Sequence, residues 1–503
     1  MLQPSPSFLR AESGTAPEPV DSGWLARHPN GLVLALVAVV TSAVVGVAVA
    51  TKPAVGIVVV AGVAVGLLVL RRPAVGGYLL VGVVPITAGL RTGWPVPVFR
   101  LSELLIGTVG VAILLTATPR QAVRWRVVDS LVLAYSLLAV ALGGYDVLRD
   151  HDALSTSLVG TLFGPMQFVL LYRATAVALP HRRQRAMALR VLLLGSIPVS
   201  IIALLQQLKL NGINRFIANI TGSQVFGTRA YAVFARATGP FNHWTPLAGY
   251  LLVILLLGIS LALHDVRDVL SRRALFGVLG LAAVGLLLSA ELSAMIALVG
   301  GSLALGVWAK RLRFLLRWGI VVLAILATAF GSYFNQRLGT QFYSQAGSGR
   351  STLVPQTIQY RFQIWGQQYL PAIDQKLMTG YGPVLPASIT WPDTESQYIT
   401  YLMWGGIPLL VAFVVMMWAL FARVRSLSRP EGDDPAVWAV ARTLAVLIVA
   451  LYAIDAIFPY FSSAGFPQPF WALVGVLFAT GRGLRPVGDT AVTRPPERLP
   501  ALA

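Results

Sequence analysis

Apolar residues in this 503-residue chain gather in long runs instead of alternating singly with polar ones. Runs such as 31–50 approach the roughly 20 residues that a helix needs to cross a hydrocarbon core. Fourteen such spans can be drawn: 31–50, 54–70, 73–90, 101–118, 127–143, 154–172, 191–208, 246–263, 275–289, 292–308, 314–331, 397–422, 436–458 and 467–480. The second, ninth, tenth and fourteenth are short. The pattern predicts an all-α fold, a polytopic transmembrane helical bundle of about 12–14 spans. Two connections stand out for their length, 209–245 and 332–396. They carry Tyr, Phe, Trp and Gly beside single arginines, so they are expected to be ordered segments with short amphipathic helices. Long loops in compact proteins are usually functional or disordered.

Charge supplies the orientation. Numbered alternately, one set of loops holds Arg71 and Arg72, then Arg120, Arg124 and Arg126, then Arg182, Arg183, Arg185 and Arg190. The same set continues with Arg267, Arg272 and Arg273, with Lys310, Arg311, Arg313 and Arg317, with Arg423, Arg425 and Arg429, and with Arg482 and Arg485. Basic residues mark cytoplasmic loops, which puts both termini in the cytoplasm and both long loops on the extracytoplasmic side. The tails 1–30 and 481–503 are predicted to be disordered cytoplasmic segments, and 31–480 to form the transmembrane domain. Composition agrees: 56% of residues are hydrophobic and 12% charged, against about 25% charged in soluble domains. The net charge of +19 is thereby a topology signal and does not indicate nucleic-acid binding. There is no cysteine, which excludes disulfides, thiolate nucleophiles and cysteine-ligated metals.

The candidate chemistry lies in the long loops. The first holds Lys209, Arg215, Arg229, Arg236 and His243 and no acidic residue. Such cations on the outer side fit either outer-leaflet lipid phosphates or a diphosphate, whose oxygens a guanidinium fork bonds bidentately. The second holds Arg337, Arg350, Arg361 and Lys376 with Asp374, Asp393 and Glu395. Around Arg361 apolar residues recur at helical spacing, which predicts a short amphipathic helix. A turn follows at Gly380-Tyr381-Gly382-Pro383, and Asp393 and Glu395 lead straight into an apolar helix. A carboxylate there can equally be a helix cap. Glu291, between two short spans, suggests a tight hairpin dipping towards the same side; Arg442 and Asp455 are further ionisable groups within spans. No glycine-rich phosphate loop ending in Lys-Ser or Lys-Thr and no His-Glu-x-x-His pattern occurs, so nucleotide hydrolysis is not expected and any substrate must arrive activated.

Three segments resemble the O-antigen ligase and O-antigen polymerase superfamily of membrane glycosyltransferases. Arg236-Ala237-Thr238-Gly239-Pro240-Phe241 before a span is similar to that family's Arg-x-x-Gly-x-Phe stretch. Arg361 to Trp365 with the later Gly380-Tyr381-Gly382-Pro383 resembles its loop arginine and Gly-x-Gly. Glu395-Ser396-Gln397-Tyr398-Ile399-Thr400-Tyr401-Leu402 with Gly406 resembles the entry to its next helix, and Phe470-Trp471 to Gly475 its closing helix. The resemblance covers roughly 201–480. It implies a GT-C-type, metal-independent, inverting enzyme without cofactor in the bacterial plasma membrane. Such an enzyme moves a glycan from a polyprenyl diphosphate donor to a hydroxyl of a glycan, lipid or protein acceptor, among membrane lipids and other envelope-glycan assembly proteins. It further implies Glu395 and Arg361 as catalytic residues, Arg236, Arg229, Arg350 and His243 as donor-diphosphate ligands, and Tyr398, Asp393 and Glu291 as pocket lining. Family ligases carry His where Glu395 stands, which leaves ligase against polymerase open. The alternatives are a transporter, with Glu291, Arg442 and Asp455 as an ion path, or a non-catalytic partner in glycan assembly.

Overall fold

The computed structural model describes residues 53–93, 99–117, 125–149, 156–228, 231, 234–342, 354–391, 393–429 and 434–479. The predicted span 31–50 and both predicted tails lie outside them. Two compact units divide the chain, Met1–Val60 and Ala61–Ala503; the second holds the helical bundle and the candidate site. All regular structure among the described residues is helical. In order come α1 (Pro53–Arg71), α2 (Pro73–Thr87), α3 (Leu101–Thr116), α4 (Val127–Arg149), α5 (Thr156–Phe163), α6 (Met166–Ala178), α7 (Arg182–Gln207) and α8 (Ile213–Thr221). There follow α9 (Trp244–Leu263), α10 (Arg272–Ser289), α11 (Leu292–Trp308), α12 (Leu312–Phe342), α13 (Gln356–Ile364), α14 (Leu370–Gln375), α15 (Gln397–Leu427), α16 (Pro435–Ile454) and α17 (Pro467–Phe478). Six of these, α4, α7, α9, α10, α15 and α16, are long and apolar enough to cross a membrane, and shorter apolar helices accompany them. The protein is a multi-pass membrane protein.

The centre is α9. Its 20 residues carry no charge and are buried on nearly every face, and at 1.5 Å per residue they span about 30 Å, a hydrocarbon thickness. A helix that is apolar all round must be enclosed by protein or lipid. Here α10, α11 and α16 pack around it. His243 starts the helix as its N-cap, the side chain accepting from the Thr245 amide, which satisfies one of the four orphan donors of the first turn.

The bundle has two unlike ends. At one end three arginines are paired with carboxylates: Arg182 with Asp268 at 2.6 Å, Arg185 with Asp434 at 2.9 Å and Arg173 with Asp129 at 3.3 Å. The other end gathers the two long connections and the short turns after α10 and α16. Two predicted boundaries differ from the structure. The span 154–172 is broken at Gly164–Pro165 into α5 and α6, because proline has no amide to continue the ladder. Residues 332–342, expected as loop, are helical instead, since α12 continues through polar residues to Phe342 and carries Tyr333 and Arg337 in its last turns.

A second break shapes the site. Within α15, Gly405 (φ −144°, ψ 21°) and Gly406 (φ 64°, ψ −161°) leave the helical region, and Pro408 follows. Backbone groups freed inside a membrane must find partners. The carbonyls of Met403 and Trp404 accept from the amides of Tyr381 (2.6 Å) and Gly382 (2.9 Å), while the Ile407 amide donates to the Leu377 carbonyl (2.9 Å). The turn predicted at 380–383 is therefore a plug for a broken helix. A Cβ on Gly380 would stand 2.6 Å from the Met403 carbonyl oxygen, so only glycine allows the approach.

Candidate active site

Arg361 lies on α13 and Glu395 two residues before α15. The guanidinium donates through Nη2 (2.8 Å) and Nε (3.2 Å) to one carboxylate oxygen, and both side chains are about four-fifths buried, at 17% and 18% exposure. Three features hold the pair. A π turn at Trp365–Tyr369 follows α13, and the Trp365 indole donates to the Thr394 carbonyl at 2.7 Å. The Tyr369 hydroxyl donates to the Trp391 carbonyl at 2.6 Å. Glu395 itself sits at φ 54°, a left-handed conformation that is uncommon for a residue with a Cβ. Burial pushes its carboxyl above the usual glutamate range, Arg361 pulls it back, and Asp393 and Glu291 push it up again.

A second pair stands on the α10–α11 hairpin. Arg236 donates to the carbonyls of Ser289 (2.8 Å) and Ala290 (3.0 Å) and to the Glu291 carboxylate (2.7 Å). Its guanidinium also lies 4.1 Å from the Trp244 ring, a favourable cation–π placement. Glu291 further accepts from the hydroxyls of Ser293 (2.8 Å) and Thr245 (3.3 Å). Ala290 takes φ 49° so that its carbonyl faces the arginine. Burial lowers Arg236 to about 10, with Glu291 opposing, which leaves it protonated at neutral pH. Burial first and Arg236 next lower His243 to about 3, so His243 is a neutral cap.

The two pairs belong to one network. Ser293 shares a 2.7 Å hydrogen bond with the Tyr460 hydroxyl, and the Tyr460 amide donates to the Asp455 carboxylate at 3.2 Å. The Asp455 carbonyl accepts from the Gln397 amide at 2.8 Å, two residues beyond Glu395. Glu291 also raises the pKa of Glu395 directly. Arg337, half-buried above the Phe234 ring at 5.8 Å, feels both Glu291 and Arg361. Among the described residues no three His, Asp or Glu side chains converge to hold a metal; the cations in contact with or coupled to these carboxylates are the guanidinium groups of Arg236, Arg337 and Arg361.

Several expected roles change. Arg236, 7% exposed, spends Nε and Nη2 on the hairpin, so it clamps Glu291, and the first loop's charge is compensated from outside that loop. His243 brings no charge to a diphosphate. Tyr398 turns towards α16, its hydroxyl donating to the Tyr452 carbonyl at 2.6 Å. Asp393 is exposed beside Glu395. Arg229 and Arg350 lie outside the described residues. Arg442 reaches His264 and Trp308 near the basic end, and Asp455 lies at the opposite end of α16. Arg337 and Tyr460 were not singled out as site residues. Arg337 lies in a stretch whose pattern predicts a loop, and Tyr460 comes to the site through Ser293, 167 residues away in the chain.

No curated protein matches the chain. Residues 277–414 match the family model of the O-antigen ligases. That stretch holds Glu291, Arg337, Arg361 and Glu395 and leaves Arg236, His243 and the closing Phe470-Trp471 segment outside, so it is narrower than the likeness read from the sequence. It implies membrane glycosyltransferase activity of the ligase or polymerase type, with a polyprenyl-linked glycan donor and a glycan acceptor in general. Through that segment the chain is similar to the O-antigen ligases.

Proposed function

We propose that the protein transfers a glycan from a polyprenyl diphosphate donor to an acceptor hydroxyl, with inversion, on the extracytoplasmic face of a bacterial plasma membrane, both termini being cytoplasmic. The observation that carries this reading is the Arg361–Glu395 pair, a strained, partly accessible carboxylate held by a guanidinium within the family segment. In the reaction the acceptor oxygen attacks the anomeric carbon from the side opposite the diphosphate. The bond from that carbon to the diphosphate oxygen breaks, and its electron pair leaves on the diphosphate. Glu395 takes the hydroxyl proton. Arg361, with Arg337 beside it, stabilises the charge on the leaving group, and guanidinium forks suit phosphate oxygens for that purpose. Arg236 keeps Glu291 ionised and the hairpin in place. Glycan recovered from cells tests the assignment. Arg361→Ala and Glu395→Ala should each lower transfer by about 10² or more, with the purified variants still folded. Normal glycan in both variants overturns it.

A further inference from the structure

A cavity of about 220 Å³ lies among α3, α4, α6, α15 and α17, apart from the two ion pairs. Its lining runs from Thr92, Arg100 and Glu103, at and before the start of α3, to Leu409 and Met416, beyond the break in α15. Both broken segments of the bundle border it: Gly164 and Pro165 between α5 and α6, and Trp404 and Leu409 on either side of Gly405–Gly406. Irregular backbone at membrane depth is tolerated where it is enclosed by protein or lines a polar cavity.

The lining mixes two kinds of group. Trp404, Trp471, Tyr401 and Phe413 supply aromatic faces, while Gln167, Gln468, Ser136 and Ser462 supply amides and hydroxyls. The Gln167 Oε1 is buried with no hydrogen-bond partner. A hydrocarbon chain here would leave that acceptor unsatisfied, at a cost of about 1–3 kcal/mol. Among the described lining residues only Arg100 and Glu103, at the start of α3, are charged, so the rest of the cavity suits a neutral guest. Its volume corresponds to roughly seven waters at about 30 Å³ each, the scale of a single sugar ring. The cavity also touches the reacting helix: Ser462 is hydrogen-bonded to Gln397 at 2.7 Å, and Gln397, Tyr401 and Trp404 form one stripe of α15, headed by Glu395.

We infer that this cavity binds a neutral hexopyranose ring of the glycan acceptor, with ring faces against the aromatic side chains and hydroxyls on the Gln167 and Ser136 side chains. The assignment to the acceptor rests on the transferase reading, whereas binding of a pyranose does not. Trp404 and Trp471 report occupancy by fluorescence in phospholipid nanodiscs. Titration with neutral methyl hexopyranosides (gluco, galacto and manno, both anomers) should give a saturable change for at least one. Gln167→Met and Ser136→Val should weaken it about tenfold or more, and Arg361→Ala should leave it unchanged. No saturable change with any pyranoside, equal affinity in both cavity variants, or a saturable response to an isoprenoid alcohol alone overturns the proposal. In cells, Gln167→Met should lose transfer yet keep its lipid-linked donor on purification. Loss of the donor as well would assign the sugar to the donor and overturn the acceptor assignment.

Discussion

Glu395 takes a left-handed backbone conformation at φ 54°, which costs on the order of 1–3 kcal/mol and persists only where surroundings enforce it. Arg361, the Thr394–Trp365 bond and the Gln397–Asp455 bond do the enforcing. On the proposed reading Glu395 works ionised as the base, so activity is expected to rise with pH through its pKa. Burial, Asp393 and Glu291 hold that value above the ordinary one, against the pull of Arg361. Asp393→Asn removes one upward push and should move the rising limb of the pH–rate profile to lower pH; an unmoved limb would separate Asp393 from the site. At the other pair, burial pushes Glu291 up, but Arg236 and Ser293 outweigh it and hold the carboxyl below its usual range. Its contribution to stability is therefore complete above the unfolded value of about 4.3 and is lost as pH falls through the lower folded value. Glu291→Leu leaves Arg236 buried without a counter-charge and should cost about 3–5 kcal/mol, with much of it recovered in Arg236→Met/Glu291→Leu. Thermal unfolding in detergent checks both, and additive losses would deny the coupling.

The helix break at Gly405–Gly406 and the turn at Gly380–Gly382 work as a unit. Gly406, at φ 64° and ψ −161°, occupies a region open essentially to glycine alone, and a Cβ there would meet the Met378 carbonyl carbon at 2.6 Å. Gly406→Ala should destabilise by about 2 kcal/mol or more and loosen the 377–382 loop. Gly107→Ala, facing open space within α3, should do no such harm, and equal effects would contradict this account of the kink. The sequence carried part of this. Apolar runs located most of the helices, and the start of α15 at Gln397 fell where the predicted span began. The glycines and Pro408 signalled local irregularity, but not that two irregularities 25 residues apart satisfy each other, which depends on backbone pairing across the fold. Arg361 and Glu395 were legible from their placement in a loop and before an apolar helix. The Arg236–Glu291 pair was legible only as two separate charges, because nothing in local spacing says that a loop guanidinium reaches a hairpin 55 residues on.

Over the whole molecule, the bundle is two-ended. One end carries arginines tied to Asp268, Asp434 and Asp129, and the other gathers Arg236, Arg337 and Arg361 around two carboxylates. Guanidinium groups beside carboxylates are what the proposed transfer from a lipid carrying two phosphates and a sugar would require. The direct test is the lipid that travels with the protein. Native mass spectrometry of wild type and Arg361→Ala, purified with their lipids, should find a polyprenyl diphosphate glycan on the wild type and at least tenfold less on the variant. Equal occupancy in both, or ordinary phospholipid alone on the wild type, would contradict the account.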